Sequence, residues 1–254
     1  MSSERQMKIL HQLTRHGSLE VNELSHMLQV SPSTIRRDLT ALERSALLVR
    51  THGMAQLPSP IRYELPFEER AACRVEAKRK IAALAQTLVK PGDTVGLSGG
   101  TTATELARHL RAMEDVTIVT NALNIALELK AQASQRVLVT GGLLNLDSYD
   151  LVGDLTTSGF ERVHLNIAFQ GVTGIDPRFG FTVADEPDAV VARAIHSVSD
   201  SLYVIADHTK IGKTTFARFC GLAEVNGLIT DDGISRQQRD ELRSAGLVVL
   251  VAGQ

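Results

Sequence analysis

No stretch of this 254-residue chain stays apolar for the roughly 20 residues that a membrane span needs. The opening segment, Met1 to Arg15, is charged and helical in pattern and lacks the apolar core of a signal peptide. Cysteine is scarce. Cys73 and Cys220 stand far apart, form neither a metal-spaced pair nor a disulfide framework, and read as small apolar residues. These absences together set the expectation of a cytoplasmic protein. Repeats and low-complexity tracts are missing too. No Gly-x-Gly-x-x-Gly occurs, which argues against a dinucleotide cofactor. Gly212-Lys213-Thr214 comes nearest to an ATPase phosphate loop, but Asp207 stands where that motif needs its first glycine. The histidines are scattered without ligand spacing, and no Ser/His/Asp or Cys/His order suggests a nucleophile. No metal and no cofactor is expected.

A charge excess is also lacking, since the chain carries a net −2. Its distribution says more. Residues 1–57 hold seven Lys/Arg (Arg5, Lys8, Arg15, Arg36, Arg37, Arg44, Arg50) against five acids, a local +2 that leaves −4 for the remainder. This asymmetry is mild, so placement must carry the argument. The length favours a small domain followed by a larger one.

Three short helical patterns open the chain. Met7, Ile9, Leu10 and Leu13 recur at helical spacing, with Gly17 as a C-cap candidate. Val21, Leu24 and Leu28 share one face of the second. The third starts at Ser31-Pro32, a hydroxyl cap followed by a proline where no hydrogen bond is lost, and buries an Ile35, Leu39, Leu42 stripe. Its other arc carries Ser33, Thr34, Arg36, Arg37, Thr40 and Arg44. A helix in a major groove needs that arrangement: arginine takes a guanine edge with two hydrogen bonds, and hydroxyls with the helix N-terminus hold phosphates. Residues 48–53, with Arg50 and His52, read as a β-hairpin whose basic tip lies along the DNA backbone. The residue types alone also permit a three-helix bundle with a solvated polar face, or a module that docks a protein.

The run from Ser31 to Leu39, with Arg5, Ile9 and Leu13 upstream, resembles the recognition-helix signature of the DeoR/GlpR family of sugar-metabolism regulators. That resemblance implies a winged helix-turn-helix over residues 1–57, a repressor that binds double-stranded operator DNA, and DNA contacts from Ser31, Ser33, Thr34, Arg36, Arg37, Arg50 and His52. Asp38 is expected to hold its own helix to a basic neighbour. The chain departs from the family where Met54 replaces a second glycine after the wing histidine.

Residues 55–66 contain Pro58, Pro60 and Pro66 and read as a semi-rigid linker. Residues 58–74 cover that linker and the start of a connecting helix, expected to run from Phe67 to Val89. The rest, 75–254, alternates. Apolar strand candidates at 94–98, 116–120, 136–140, 164–169, 202–206, 226–230 and 247–251 are mostly separated by helical segments, which implies an α/β domain with a mostly parallel sheet covered on both faces. Ligands of such sheets sit beyond the strands' carboxyl ends. There lie Ser98, Gly99, Gly100, Thr101 and Thr102 before a helix starting near Ala103, then Thr120 and Asn121, Gly141 and Gly142, and Lys210. Side-chain-free glycines, hydroxyls, a helix N-terminus and one lysine suit a phosphorylated small molecule. Asp185 and Glu186 are candidates for its hydroxyls, or else supply charge to a helix N-terminus.

The same segments resemble the family's effector domain, whose fold is similar to ribose-5-phosphate isomerase. The resemblance implies a sugar-phosphate effector, control of a carbohydrate-metabolism operon, and a homo-oligomer (dimer or tetramer). Ser98 departs from the family's usual aspartate, which points to a different hydroxyl pattern or a more anionic ligand. An isomerase would need carboxylates after the 164–169 strand, where this chain has Gln170-Gly171-Val172-Thr173, so no enzymatic activity is expected.

Overall fold

The computed structural model of the protein describes residues 4–16, 18–45, 47–51, 54–56, 66–130 and 135–253. The chain divides into two compact units, residues 1–64 and 65–254.

The first unit holds helices α1 (Glu4–His16), α2 (Val21–Leu28) and α3 (Pro32–Arg44) with strands β1 (Ser18–Glu20), β2 (Val49–Thr51) and β3 (Met54–Gln56). Its core is the expected apolar stripes: Ile9, Leu10, Leu13, Leu24, Ile35, Leu39 and Leu42 are all buried. β2 and β3 form the expected antiparallel hairpin, with Thr51 opposite Met54. β1 adds to its other side through Leu19 opposite Ala55, so the wing is anchored by the strand that leads into α2. Ala55 and Gln56 therefore belong to the sheet and not to the linker. Pro58 and Pro60 lie outside the described residues, as do Gly17, His52 and Gly53.

In the second unit the expected single helix is two, α4 (Phe67–Ala72) and α5 (Val75–Gln86). Cys73 is extended and Arg74 adopts a left-handed conformation at φ 51°. No glycine or proline announces this break. What holds it is Lys78, whose ammonium donates to the carbonyls of Arg70 and Cys73, the latter at 2.6 Å, and so satisfies the free end of α4.

Seven parallel strands form the main sheet, in the order β15 (Val249–Ala252), β14 (Gly227–Asp231), β12 (Leu202–Ile205), β9 (Ile167–Gly171), β4 (Thr94–Leu97), β5 (Thr117–Thr120) and β6 (Arg136–Val139). All seven expected strands are among them. Alternate residues pack to opposite faces: Ile167 and Phe169 join Ile81, Ala85 and Leu106 in one core, while Ala168 joins Phe160, Ile195 and Leu242 in the other. Helices α5, α6 (Thr101–Leu110) and α7 (Leu123–Leu129) supply the first core, and α8 (Asp154–Phe160), α9 (Glu186–Ser197) and α10 (Arg236–Ser244) the second. Burial on both faces is why the strands read as near-continuous apolar runs. Not expected were the two-residue pair β7 (Leu143–Leu144) and β8 (Leu151–Val152), and an antiparallel sheet of β10 (Gly174–Asp176), β11 (Gly180–Val183) and β13 (Ala217–Cys220).

Candidate functional sites: a basic helix and a sheet-edge pocket

On the first unit, α3 is built to present one face. Ser31 caps it, accepting the Thr34 N–H at 3.3 Å, and its hydroxyl lies 2.9 Å from those of Ser33 and Thr34. With Ile35, Leu39 and Leu42 turned inward, Arg36, Arg37 and Arg44 stand exposed. Asp38 does what was expected of it: nearly buried, it receives the Arg5 guanidinium through both oxygens, Nη2 at 3.1 Å, and ties α3 to α1. Arg50 is placed differently from the other arginines. Its Nη2 donates to the Arg36 carbonyl at 2.9 Å and the Thr40 hydroxyl at 3.1 Å, which braces the wing on α3. Its guanidinium is thus engaged within the protein. His52 lies outside the described residues.

In the second unit the chain leaves β4 in one direction, through β5 to β6, then returns to the far side of β4 with β9, β12, β14 and β15. The switch in direction falls between β4 and β9, the place where such sheets open a crevice at their carboxyl ends. The Ser98 hydroxyl accepts the Gly171 N–H across it at 2.9 Å. Gly99 and Gly100 follow, and α6 starts at Thr101, two residues earlier than expected. Gly100 sits at φ 104° with open space where a Cβ would be, a backbone state that only glycine adopts without strain. At Gly99 a Cβ would lie 1.6 Å from Asp150 Oδ1, so the Asp150 carboxylate rests on this turn.

The loops after the neighbouring strands line the same edge. Thr120 is fully buried and its hydroxyl accepts the Ala122 N–H at 3.0 Å. Asn121 donates to the Leu151 carbonyl at 3.0 Å, while its Oδ1 has no hydrogen-bond partner among the described residues. Gln170 Oε1, at the end of β9, is buried in the same condition. Gly141 and Gly142 serve packing: Thr156 donates to the Gly141 carbonyl at 2.7 Å, and a Cβ on Gly142 would meet that same hydroxyl. Asp185 and Glu186 are engaged at the start of α9 instead. Asp185 caps that helix by accepting the Asp188 N–H at 3.0 Å, and Glu186 pairs with Arg193.

Beyond β12, Asp207 accepts the Thr209 N–H at 3.0 Å and its hydroxyl, and Lys210 closes the short turn with an N–H bond of 3.1 Å to the Asp207 carbonyl. The Arg74 guanidinium lies 3.8 Å from the Asp207 carboxylate. Burial alone would raise the Asp207 pKa, yet the Thr209 hydrogen bonds, Lys210 and Arg74 hold it below the ordinary value. Burial and neighbouring Lys210 push Lys213 down. Lys78, 4% exposed, is lowered to about 8, chiefly by burial, with Asp207 opposing. Asp150, Arg74, Lys78 and Lys213 were not anticipated from the sequence. Several cations elsewhere in this unit have their own carboxylates. Arg108 and Arg111 share Glu128 beside a surface depression lined by Asn124 and Leu127, whose charges therefore largely cancel.

Comparison with known proteins bears on both sites. Residues 5–60 match the DeoR-like helix-turn-helix domain and residues 74–232 the DeoR C-terminal sensor domain. The chain is 33% identical to a putative aga operon transcriptional repressor of Escherichia coli O157:H7, covering 100% of this chain and 95% of that one. It is 34% identical to the HTH-type transcriptional regulator GolR of Listeria innocua serovar 6a, covering 98% of each. Among solved structures, ribose 5-phosphate isomerase A from Methanocaldococcus jannaschii shares 18% identity over 54% of each chain with a TM-score of 0.40. At that score nothing about function follows from the likeness.

Proposed function

The chain belongs to the DeoR family of transcriptional regulators, and from that premise we propose that it is a repressor of a carbohydrate-metabolism operon, released or retained on its operator by a phosphorylated sugar. Ser33, Thr34, Arg36 and Arg37 meet the DNA from the exposed arc of α3, with Ser31 holding the helix start in place. A single small domain buries too little surface for tight operator binding, so two copies act together, their recognition helices in successive major grooves. His52 belongs to the wing in this reading, and Arg50 supports the wing more than it reads DNA.

The effector sits at the crevice between β4 and β9. Its phosphoryl group meets the N-terminus of α6 at Gly99–Thr102, where backbone N–H groups and the helix dipole favour an anion, and Lys210 approaches from β12. The observation that carries the sugar part is the pair of buried acceptors, Asn121 Oδ1 and Gln170 Oε1, which have no partner among the described residues and lie at the carboxyl ends of β5 and β9, the two strands beside β4. Leaving such an atom buried and unsatisfied costs about 1–3 kcal/mol, which ligand hydroxyls would recover. Ser98 and Thr120 shape the turns that carry them, and Gly141 and Gly142 let the 141–156 segment pack close. Asp185 and Glu186 have structural partners and are left out of the ligand's contacts. Catalysis is not part of this reading: Asp176 accepts the Arg178 and Phe179 N–H groups in a turn, so the first carboxylate downstream of β9 is committed to the backbone.

The test is a thermal-shift screen with sugars and sugar phosphates, followed by operator binding with each hit. A ligand that binds only the folded state raises the melting temperature. Hits confined to phosphorylated compounds, and lost in a Thr101→Ala, Lys210→Ala double variant that still binds DNA, are expected. A variant that keeps the full ligand response would refute this pocket.

A further inference from the structure

Four cations gather where the chain enters the effector unit, and one carboxylate faces them. Arg74 and Lys78 lie one turn apart at the start of α5, on the same face of the helix. Lys210 and Lys213 lie three residues apart in the loop after β12, which Gly212 holds in place by donating to the Ile175 carbonyl at 2.8 Å. Asp207 stands among them, 6% exposed, within 3.8 Å of Arg74. Lys78 feels Asp207, Lys210 and Arg70; Lys213 feels Lys210, Asp207 and Arg74. The cluster is therefore net positive, with Lys78 buried, Lys210 and Lys213 half-buried and Arg74 at its exposed edge, unlike the Arg108–Glu128, Lys80–Asp232 and Arg193–Glu186 pairs elsewhere in the unit, where charges balance. Like charges held together partly out of solvent repel, and an arriving anion offsets that repulsion.

One member of this cluster has a second task. Two of the three Lys78 N–H donors go to the carbonyls of Arg70 and Cys73 at the end of α4. The other end of α4 is pinned as well. The Phe67 N–H donates to the Asp147 carbonyl at 3.1 Å, the Tyr149 hydroxyl bonds Glu68, and the Phe67 and Tyr149 rings meet edge to face. Tyr149 sits at φ 65°, next to the Asp150 that rests on Gly99. So α4, the first described helix after the linker, is tied at one end to the loop that covers the Gly99 turn and at the other to the cation cluster.

Resting on the effector-pocket reading above, we infer that Arg74, Lys78 and Lys213 complete the anion subsite with Lys210, and that Lys78 couples its occupancy to the docking of α4. A bound phosphoryl group keeps Lys78 as an ammonium with three donors, two on α4 and one on the ligand. Occupancy then tightens the hold on α4, and by reciprocity an α4 pulled from its seat weakens the ligand. This gives the effector a covalently continuous route to the linker and the DNA-binding unit, by biasing one helix between docked and undocked.

Hydrogen exchange on the full chain tests it, with inorganic phosphate at about 100 mM against chloride of equal ionic strength. Exchange is expected to slow by about threefold or more in both residues 100–104 and residues 67–73. In Lys78→Gln, which removes one of the cluster's charges, residues 100–104 should respond only at higher phosphate, and 67–73 should not respond even there. Slowing at 100–104 alone in the unaltered protein would overturn the coupling and leave the pocket reading standing, and this arm decides even if the variant fails to fold. Equal slowing of 67–73 in Lys78→Gln would remove Lys78 from the role. No response in either segment, with phosphate or with phosphorylated sugars, would remove the pocket and the coupling together.

Discussion

The two units each carry a group of cations, and the groups differ in kind. Arg36 and Arg37 stand in solvent on a helix whose opposite face is fully buried, whereas Lys78 is 4% exposed and shares Asp207 with Arg74, Lys210 and Lys213. Under the proposed function, the difference follows from the anion each has to meet. Duplex DNA is a line of charges with a condensed ion atmosphere, so binding is driven by releasing counterions, and exposed arginines suffice. A small phosphorylated molecule brings one phosphoryl group and must be recognised against every other anion in the cell. That calls for cations partly desolvated and held in place before it arrives. The exposed group gives affinity that salt can erase; the buried group gives affinity that depends on protonation.

Salt should therefore separate the two surfaces by the widest margin. If Arg36 and Arg44 of two copies each neutralise a phosphate, operator affinity falls by about 10²-fold when salt rises from about 50 to 200 mM. Affinity for a phosphorylated effector at the partly buried cluster should fall by less than about tenfold over the same range. Fluorescence anisotropy for the DNA and calorimetry for the effector measure both. Equal salt slopes would mean that the Lys210 cluster is as open to solvent as α3, and the comparison would collapse.

How much of this was legible in the sequence depends on whether a residue's role shows in its neighbours along the chain. The seven strands of the parallel sheet were readable because burial on both faces forces continuous runs such as Ile167–Phe169 and Leu202–Ile205. The recognition helix was readable because cap, proline and apolar stripe fall at fixed offsets. Asp38 was placed correctly because an acid among DNA-facing arginines needs a basic partner, and Arg5 is that partner. The break between α4 and α5 was hidden, since the amphipathic pattern continues through Cys73 and Arg74 and the stop is made by Lys78 from the next turn. Lys78 itself reads as a solvated helix lysine. Asp150 sits in a turn whose importance comes only from its contact with Gly99, some fifty positions earlier. β13 was missed because it pairs with β11 across an intervening helix and strand, which no local pattern records, and the β10–β11 hairpin because its strands are only three and four residues long.

Protonation should mark the buried group next. The folded Lys78 pKa is lowered to about 8 from 10.5, so between those values the unfolded chain binds more protons than the folded one. Stability of the effector unit should then rise as pH increases from about 8 to 10.5, by at most about 3 kcal/mol, because a one-proton difference between the two states is worth about 1.4 kcal/mol for each pH unit crossed. Below pH 8 both states carry the charge and the burial penalty is constant. The groups facing Lys78 from the packed elements are Asp207 and Lys210 from the loop after β12, and Arg70 and Cys73 from the end of α4. Lys78→Met should flatten this part of the denaturation profile. A profile unchanged by that substitution would show that Lys78 is titrating as a solvated lysine.

Within the exposed group the arginines are unequal, and this sharpens the comparison at its smallest scale. Arg37→Ala removes a side chain free to reach a base edge and should weaken operator binding by about 1–3 kcal/mol, relaxing preference at one base pair. Arg50→Ala removes a guanidinium whose donors are engaged with the Arg36 carbonyl and Thr40. Its effect should fall first on the stability of the DNA-binding unit, by about 1 kcal/mol for the lost hydrogen bonds, and only secondarily on affinity, without changing which base is preferred. Operator binding with each base pair varied in turn, beside thermal denaturation, distinguishes the two. A base-specific loss in Arg50→Ala with unaltered stability would mean that Arg50 leaves α3 to read DNA, and the wing would then belong to the recognition surface instead of supporting it.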